Sequence, residues 1–150
     1  MPAEKLDKIF NPESLAVIGA SEKEGSVGAT LMDNIVGGFE GDIYPVNINR
    51  DKVMDIEAFS SVSDIDKEVD LAIIATPAKT VPDIVDECGE SGIETGIVIS
   101  AGFSETGREG KKLEEELDAR RKKHDMRLLG PNCLGTIRPG QNLNLTFLRK

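Results

Sequence analysis

SLAVIGASEKEGSVG, residues 14–28, is the stretch of sequence that decides the fold. It begins with a short apolar run that ends at Gly19, which is the pattern of a β-strand buried on both faces. After a polar loop, Val27, Leu31 and Ile35 recur at helical spacing until a Gly-Gly pair stops the pattern. We therefore predict a strand, a glycine-rich turn and a helix.

Further segments along the chain repeat this alternation. Strands are predicted at 42–47 (DIYPVN), 58–62 (weakly), 70–76 (DLAIIAT), 95–101 (TGIVISA) and 126–130. Pro45 favours a position near a sheet edge for its strand, because proline cannot donate to the hydrogen-bond ladder.

Two more helices are expected between these strands. Thr80 is the predicted N-cap of one, and the spacing of Thr106 and Glu109 indicates a capping box for a highly charged second helix. Strands that alternate with helices imply βαβ units. The predicted fold class is α/β: a Rossmann-like, doubly wound, mainly parallel sheet with helices on both faces, in a single domain spanning residues 1–150.

Composition and charge exclude several classes of function. A formal net charge of −9 would repel a polyphosphate backbone, and no basic stripe with interleaved aromatic residues occurs, so no nucleic-acid partner is expected. Cys88 and Cys133 show neither metal-ligand spacing nor a disulfide framework. No apolar run is long enough to span a membrane. These observations predict a cytoplasmic protein with no membrane partner and no metal site.

The predicted sheet directs attention to the loops that follow its strands, because ligands of open parallel sheets bind at the carboxyl ends of the strands. The loop after the first strand has Gly19 and Gly25 where the backbone turns, and it opens a helix whose free N–H groups favour a phosphate. Ser21 stands where the dinucleotide motif has its second glycine. A glycine-rich turn of an α/β protein without a nucleotide remains the alternative interpretation.

The end of the second strand argues against NAD. Asn47 occupies the position where NAD-binding folds usually carry an acid for the ribose hydroxyls, whereas Glu40 lies at the opposite edge of the sheet. Arg50 offers a cation for a ribose phosphate, which NADP and coenzyme A both carry. A surface charge at Arg50 and a buried, small apolar role for Cys133 are the plainer alternatives. His124, the only histidine, is interpreted as a helix cap.

Five segments together resemble a known family, the ADP-forming acetyl-CoA synthetases, which are related to the α subunit of succinyl-CoA synthetase. They are LDKIFNPESLAVIGAS (6–21), YPVN (44–47), DLAIIATPAK (70–79), VISAGFSETG (98–107) and LLGPNCLGTI (128–137). The likeness is to the N-terminal, CoA-binding domain of that family, and it follows the chain in order over nearly its whole length.

The resemblance implies that coenzyme A lies across the carboxyl ends of the strands. Its phosphates are expected at the loop after the first strand, its ribose phosphate near Arg50, and its thiol near Asn132 and Cys133. Because the family's VNPK reads VNIN here, either Arg50 or Lys52 replaces the lysine of that motif. The predicted cofactor-binding residues are Gly19, Ser21, Glu22, Lys23, Glu24, Gly25, Ser26, Val46, Asn47, Arg50, Thr76, Pro77, Ile99, Ser100, Ala101, Asn132 and Cys133.

The activity implied by the resemblance is that of an ADP-forming acetate–CoA ligase. In that family a phosphohistidine and an ATP-grasp region, which uses ATP or ADP with Mg²⁺, belong to other domains or subunits. These would be the partners of this chain, which is expected to be a fragment of a longer synthetase that binds coenzyme A without turnover and has no catalytic residue of its own. Two alternatives remain: a CoA-binding regulatory module of a protein acetyltransferase, and an NADP-binding dehydrogenase domain.

Overall fold

The computed structural model describes residues 2–149, which form four α-helices and nine β-strands. The helices are α1 (Pro2–Phe10), α2 (Val27–Val36), α3 (Val81–Glu90) and α4 (Arg108–Lys123). The strands are β1 (Ser14–Ile18), β2 (Asp42–Val46), β3 (Lys52–Val53), β4 (Ile56–Glu57), β5 (Leu71–Ile74), β6 (Thr95–Val98), β7 (Arg127–Leu129), β8 (Gly135–Arg138) and β9 (Leu143–Thr146). No helix within this range is long and apolar enough to cross a bilayer.

Five strands form one parallel sheet in the order β2-β1-β5-β6-β7. Every residue of β1, β5 and β6 is buried, as expected for strands covered on both faces. Pro45 lies in β2 at the sheet edge, where its missing N–H costs no ladder hydrogen bond. The edge position predicted from this proline is confirmed.

Helices cover both faces of the sheet, so the predicted doubly wound, Rossmann-like class is confirmed. On one face, α3 and α4 pack through Val81, Val85 and Leu117. On the other face, α1, α2 and the hairpin of β8 and β9 pack against the alternate side chains of the strands. The alternation of side chains along each strand thus feeds two separate cores.

Helices α2, α3 and α4 begin near the predicted residues, but their cap hydrogen bonds are not all those predicted. α2 has the predicted bounds, and the Ser26 hydroxyl caps it by accepting from the Ala29 N–H at 3.1 Å. Thr80 is the N-cap residue of α3, as predicted, but its hydroxyl makes no cap hydrogen bond, and the capping box predicted at Thr106 and Glu109 is wrong. The Thr80 hydroxyl donates to the Pro77 carbonyl instead, and α4 begins after Gly107, where the φ of 111° suits only glycine.

Three elements were not expected from the sequence. Helix α1 has Leu6, Ile9 and Phe10 at helical spacing, but only Ile9 is buried, against the sheet. The predicted strand at 58–62 is wrong, because this segment makes a single bridge from Phe59 to Val46 while a β3–β4 hairpin lies just before it. The hairpin of β8 and β9 was also not predicted, although Pro139 and Gly140, a common turn dipeptide, separate its strands.

Candidate functional site

Three cavities adjoin one another along the carboxyl ends of the parallel strands. The loop cavity, of about 680 Å³, lies beside residues 21–25. The central cavity, of about 570 Å³, lies over the ends of β1 and β2 and shares Ser21 with the loop cavity. The Cys133 cavity, of about 460 Å³, lies over the ends of β5, β6 and β7 and shares Thr76 and Pro77 with the central cavity. Together they form one cleft across the sheet, which we call the rim cleft.

Two glycines bring helix α2 close to the end of strand β1. Gly19 has a φ of 95°, which lets the chain turn out of the strand. A Cβ on Gly28 would lie 2.0 Å from the Gly19 carbonyl oxygen, so no larger residue fits there. Gly25 has a φ of 83° and borders the loop cavity. The backbone of this turn is therefore exposed to any ligand in the loop cavity.

Asn47 joins the first two loops of the rim. Its side-chain amide donates to the Ala20 carbonyl at 2.9 Å, and its side-chain oxygen accepts from the Asn49 N–H at 2.7 Å. An aspartate at this position could not make the first of these hydrogen bonds, because a carboxylate only accepts. The replacement of the usual acid by Asn47 is thus explained by contacts within the protein.

Glu22, which lines the loop cavity, forms an ion pair with Arg50. The Glu22 Oε2 and Arg50 Nη1 atoms are 2.7 Å apart, and the Glu22 Oε1 accepts from the Met54 N–H at 2.8 Å. The side chains are 37% and 56% exposed, respectively. The sequence predicted both residues at the site but not that they would contact each other.

The Cys133 cavity is shaped by a chain of backbone contacts. The Ser100 hydroxyl donates to the Thr76 carbonyl at 2.5 Å, and the Ser100 carbonyl accepts from the Asn132 N–H at 2.9 Å. The Cys133 thiol donates to the Val98 carbonyl at 3.4 Å. Burial raises the pKa of this thiol above its ordinary value. Cys133 is therefore a hydrogen-bonded wall of the cavity, with little thiolate at neutral pH.

Glu105 stabilises the loop after β6, and the sequence did not predict this role. Its carboxylate accepts from the Gly102 N–H at 3.2 Å and from the Phe103 N–H at 2.6 Å. These bonds, led by the one from Gly102, lower the pKa of Glu105. The side chain of Phe103 is fully buried. Together with the Glu105 carboxylate it holds the backbone of this loop just beyond Ala101, which lines the Cys133 cavity.

Arg149 was also missed as a candidate, although it lines the loop cavity. One of its terminal nitrogens lies 3.9 Å from the position that a Cβ on Gly25 would occupy. Asn34 holds the chain nearby by donating to the carbonyls of Thr146 and Leu148 at 2.8 and 2.9 Å. No local signal could have indicated this, because Arg149 is more than a hundred residues from the loop in sequence.

The structure brings most of the predicted site residues to the rim cleft. Three are not on its walls: Lys23, Ser26, which caps α2, and Arg50, which pairs with Glu22. Those that line the cleft are Gly19, Ser21, Glu22, Glu24, Gly25, Val46, Asn47, Thr76, Pro77, Ile99, Ser100, Ala101, Asn132 and Cys133. Lys52, the alternative to Arg50, lies exposed on β3 opposite Glu57.

His124 lies away from the rim cleft, as the C-cap of α4. Its Nε2 is 2.6 Å from an Asp86 carboxylate oxygen, and with Glu90 these residues could in principle surround a cation. Arg120 and Lys123 already contact the same carboxylate at 3.1 and 3.2 Å. Two adjacent positive charges make this cluster an ion-pair network rather than a cation site.

Comparison with protein families supports the resemblance. The family model described as "CoA binding domain" matches residues 13–139. This range includes every strand end that contributes to the rim cleft.

Curated relatives are similar over almost the whole chain. The α subunit of acetate–CoA ligase [ADP-forming] I from Pyrococcus furiosus is 45% identical over 147 residues, which are 95% of this chain and 32% of that protein. The 4-hydroxybutyrate–CoA ligase [ADP-forming] of Nitrosopumilus maritimus is 44% identical over 94% of this chain and 20% of its own length. The chain therefore spans between a fifth and a third of these relatives.

A solved structure has the same fold. The dinucleotide-forming acetyl-coenzyme A synthetase 1 of Ca. Korarchaeum cryptofilum, in complex with phosphate and ADP, superposes with a TM-score of 0.90 at 38% identity. The match covers 95% of this chain and 30% of that one.

Proposed function

This chain belongs to the CoA binding domain family, and on that premise we propose that it binds coenzyme A along the rim cleft, as the coenzyme-binding part of an ADP-forming acyl-CoA synthetase. The observation that carries the proposal is the continuity of the cleft across the carboxyl ends of the parallel strands. A ligand with phosphates at one end and a narrow, mainly apolar arm at the other fits such a cleft.

The chemistry of the walls suits this ligand. The central cavity has mostly apolar walls, including Val46, Ile48 and Val62, and can take a flat base. The exposed turn at Gly25 and the N-terminus of α2 offer backbone N–H groups to phosphates, and Arg50 offers its guanidinium to the ribose phosphate.

The opposite end of the cleft suits the arm of the coenzyme. We assign Ile99, Ser100 and Ala101 to the pantetheine arm and place the thiol near Asn132 and Cys133. When coenzyme A is bound, it supplies the thiol that accepts the acyl group. The protein's own thiol is not assigned a covalent role, because burial keeps Cys133 protonated.

The remaining steps of the reaction are proposed to use other parts of a synthetase. Phosphoryl transfer with ATP or ADP and Mg²⁺, and the histidine that carries the phosphoryl group, are assigned to partner domains or subunits. His124 contacts Asp86 and lies outside the cleft. Two free thiols, at Cys88 and Cys133, suit the reducing cytoplasm in which we place the protein.

Calorimetry with the 150-residue chain tests this proposal. Coenzyme A is expected to bind more tightly than NADP. Ala101→Tyr should weaken binding by at least about tenfold, because the added ring occupies the Cys133 cavity that the arm needs. Ala119→Tyr, on the exposed side of α4, introduces the same ring away from the cleft and is expected to leave the affinity unchanged. Tighter binding of NADP, or equal affinities for the two variants, would contradict the proposal.

A further inference from the structure

The Glu22 carboxylate already pairs with Arg50, which is the cation that the ribose phosphate of coenzyme A would need. One oxygen is 2.7 Å from the Arg50 guanidinium, and the other accepts from the Met54 backbone at 2.8 Å. Glu22 is thus held from two sides, as a bound anion would be. The ion pair also connects the loop after β1 to the loop after β2.

The surroundings of the pair make an incoming anion compete with Glu22. Glu24 and Asp33 line the same loop cavity and outnumber Arg149, the cation on its wall, so the local charge is already negative. A phosphate that approaches Arg50 while Glu22 remains in place meets a carboxylate at hydrogen-bond distance from the same guanidinium. Repulsion between the two anions would offset much of the attraction to the arginine.

We infer that Glu22 is an internal competitor of the ligand's phosphomonoester for Arg50 and is displaced from it when that phosphate binds. This inference rests on the proposed binding of coenzyme A. A phosphomonoester carries a charge of about −1.5 to −2 and three acceptor oxygens, whereas a carboxylate carries −1 and two oxygens. The pair is largely exposed and therefore weak enough to exchange. Glu22 then limits the affinity for the coenzyme and speeds its release.

The competition predicts a selective effect of removing the carboxylate charge. In Glu22→Gln, coenzyme A should bind about two- to fivefold more tightly, which is the range expected for an exposed ion pair, and should dissociate more slowly. Dephospho-coenzyme A lacks the phosphomonoester and leaves the pair intact, so its affinity should stay the same. In Arg50→Gln, coenzyme A should bind less tightly, and adding Glu22→Gln to that variant should bring no gain.

A matched control separates this effect from net charge. Glu40→Gln removes the same charge from an exposed residue at the opposite end of the sheet, and it should change neither affinity. Calorimetry measures the affinities, and stopped-flow displacement measures release. Weaker or unchanged binding of coenzyme A by Glu22→Gln, an equal gain for dephospho-coenzyme A, or a gain that persists without Arg50 would each overturn the inference. If coenzyme A binds to no variant, the proposed function itself fails, and the inference with it.

Discussion

Gly28 shows at the scale of a single residue how the site is built. Gly28, the third glycine of the turn, does not line the rim cleft. Its role is to let α2 approach the Gly19 carbonyl. Closer packing of the helix start on the strand end keeps the backbone N–H groups of the turn beside the loop cavity. A missing side chain here is therefore as important as any polar group of the cleft.

Gly28→Ala is expected to destabilise the protein by about 1–3 kcal/mol, because the added methyl group would overlap a backbone oxygen that cannot move without shifting β1. Gly140→Ala is the matched control, since a Cβ there has no neighbour within 4 Å. Urea unfolding followed by circular dichroism measures both changes. Equal stability of the two variants would show that α2 can move away from β1 at little cost.

At the scale of the element, α3 and α4 are joined by ion pairs that centre on Asp86. Arg120 and Lys123, in the last turn of α4, contact the Asp86 carboxylate, and His124 contacts it at 2.6 Å. The hydrogen bond from His124, followed by contributions from Lys123 and Arg120, lowers the pKa of Asp86 from its ordinary value of 3.8. The basic end of α4 is thus used for helix packing as well as for the helix dipole.

The lowered pKa predicts how this helix pair responds to acid. A carboxyl group whose pKa is lower in the folded state stabilises the fold above its unfolded pKa, and this contribution is lost as the pH falls towards the folded value. Asp86→Asn should therefore lower the Tm at pH 7 and make the Tm fall less steeply below about pH 4. Glu115→Gln, on an exposed position of α4, should do neither. Identical pH profiles for wild type and Asp86→Asn would refute this.

At the scale of the whole molecule, the last strands complete the fold that the site depends on. Leu143 and Leu145 of β9 are buried in the same core as α2 and the sheet. Asn34, on α2, is buried and bonds the carbonyls of Thr146 and Leu148. This contact carries the chain past the loop cavity and brings Arg149 to its wall. The hairpin of β8 and β9 therefore packs into the same core as the elements that form the rim cleft.

Leu145→Ala is expected to cost about 2–5 kcal/mol of unfolding free energy, as large-to-small changes in a packed core do. Ile137→Ala, on the paired strand, should cost much less, because Ile137 is 50% exposed. Chemical unfolding measures both. A small loss for Leu145→Ala would mean that the hairpin packs only loosely on α2.

Local patterns in the sequence were sufficient for the parallel sheet and for three of the helices, α2, α3 and α4. The apolar runs at β1, β5 and β6 could be recognised because strands buried on both faces need continuous hydrophobic residues. Most of the site could be predicted as well, since the carboxyl ends of parallel strands meet at one rim, and the residues after each strand follow directly from its end.

What only the tertiary structure decided depends on contacts between distant residues. The Glu22–Arg50 pair, the anchoring of β9 by Asn34 and the place of Arg149 leave no local periodicity, because each partner is positioned by a different element. Short-range preferences determine which segments become strands and helices. The packing of those elements determines which side chains meet, and the rim cleft with its internal ion pair is a product of that packing.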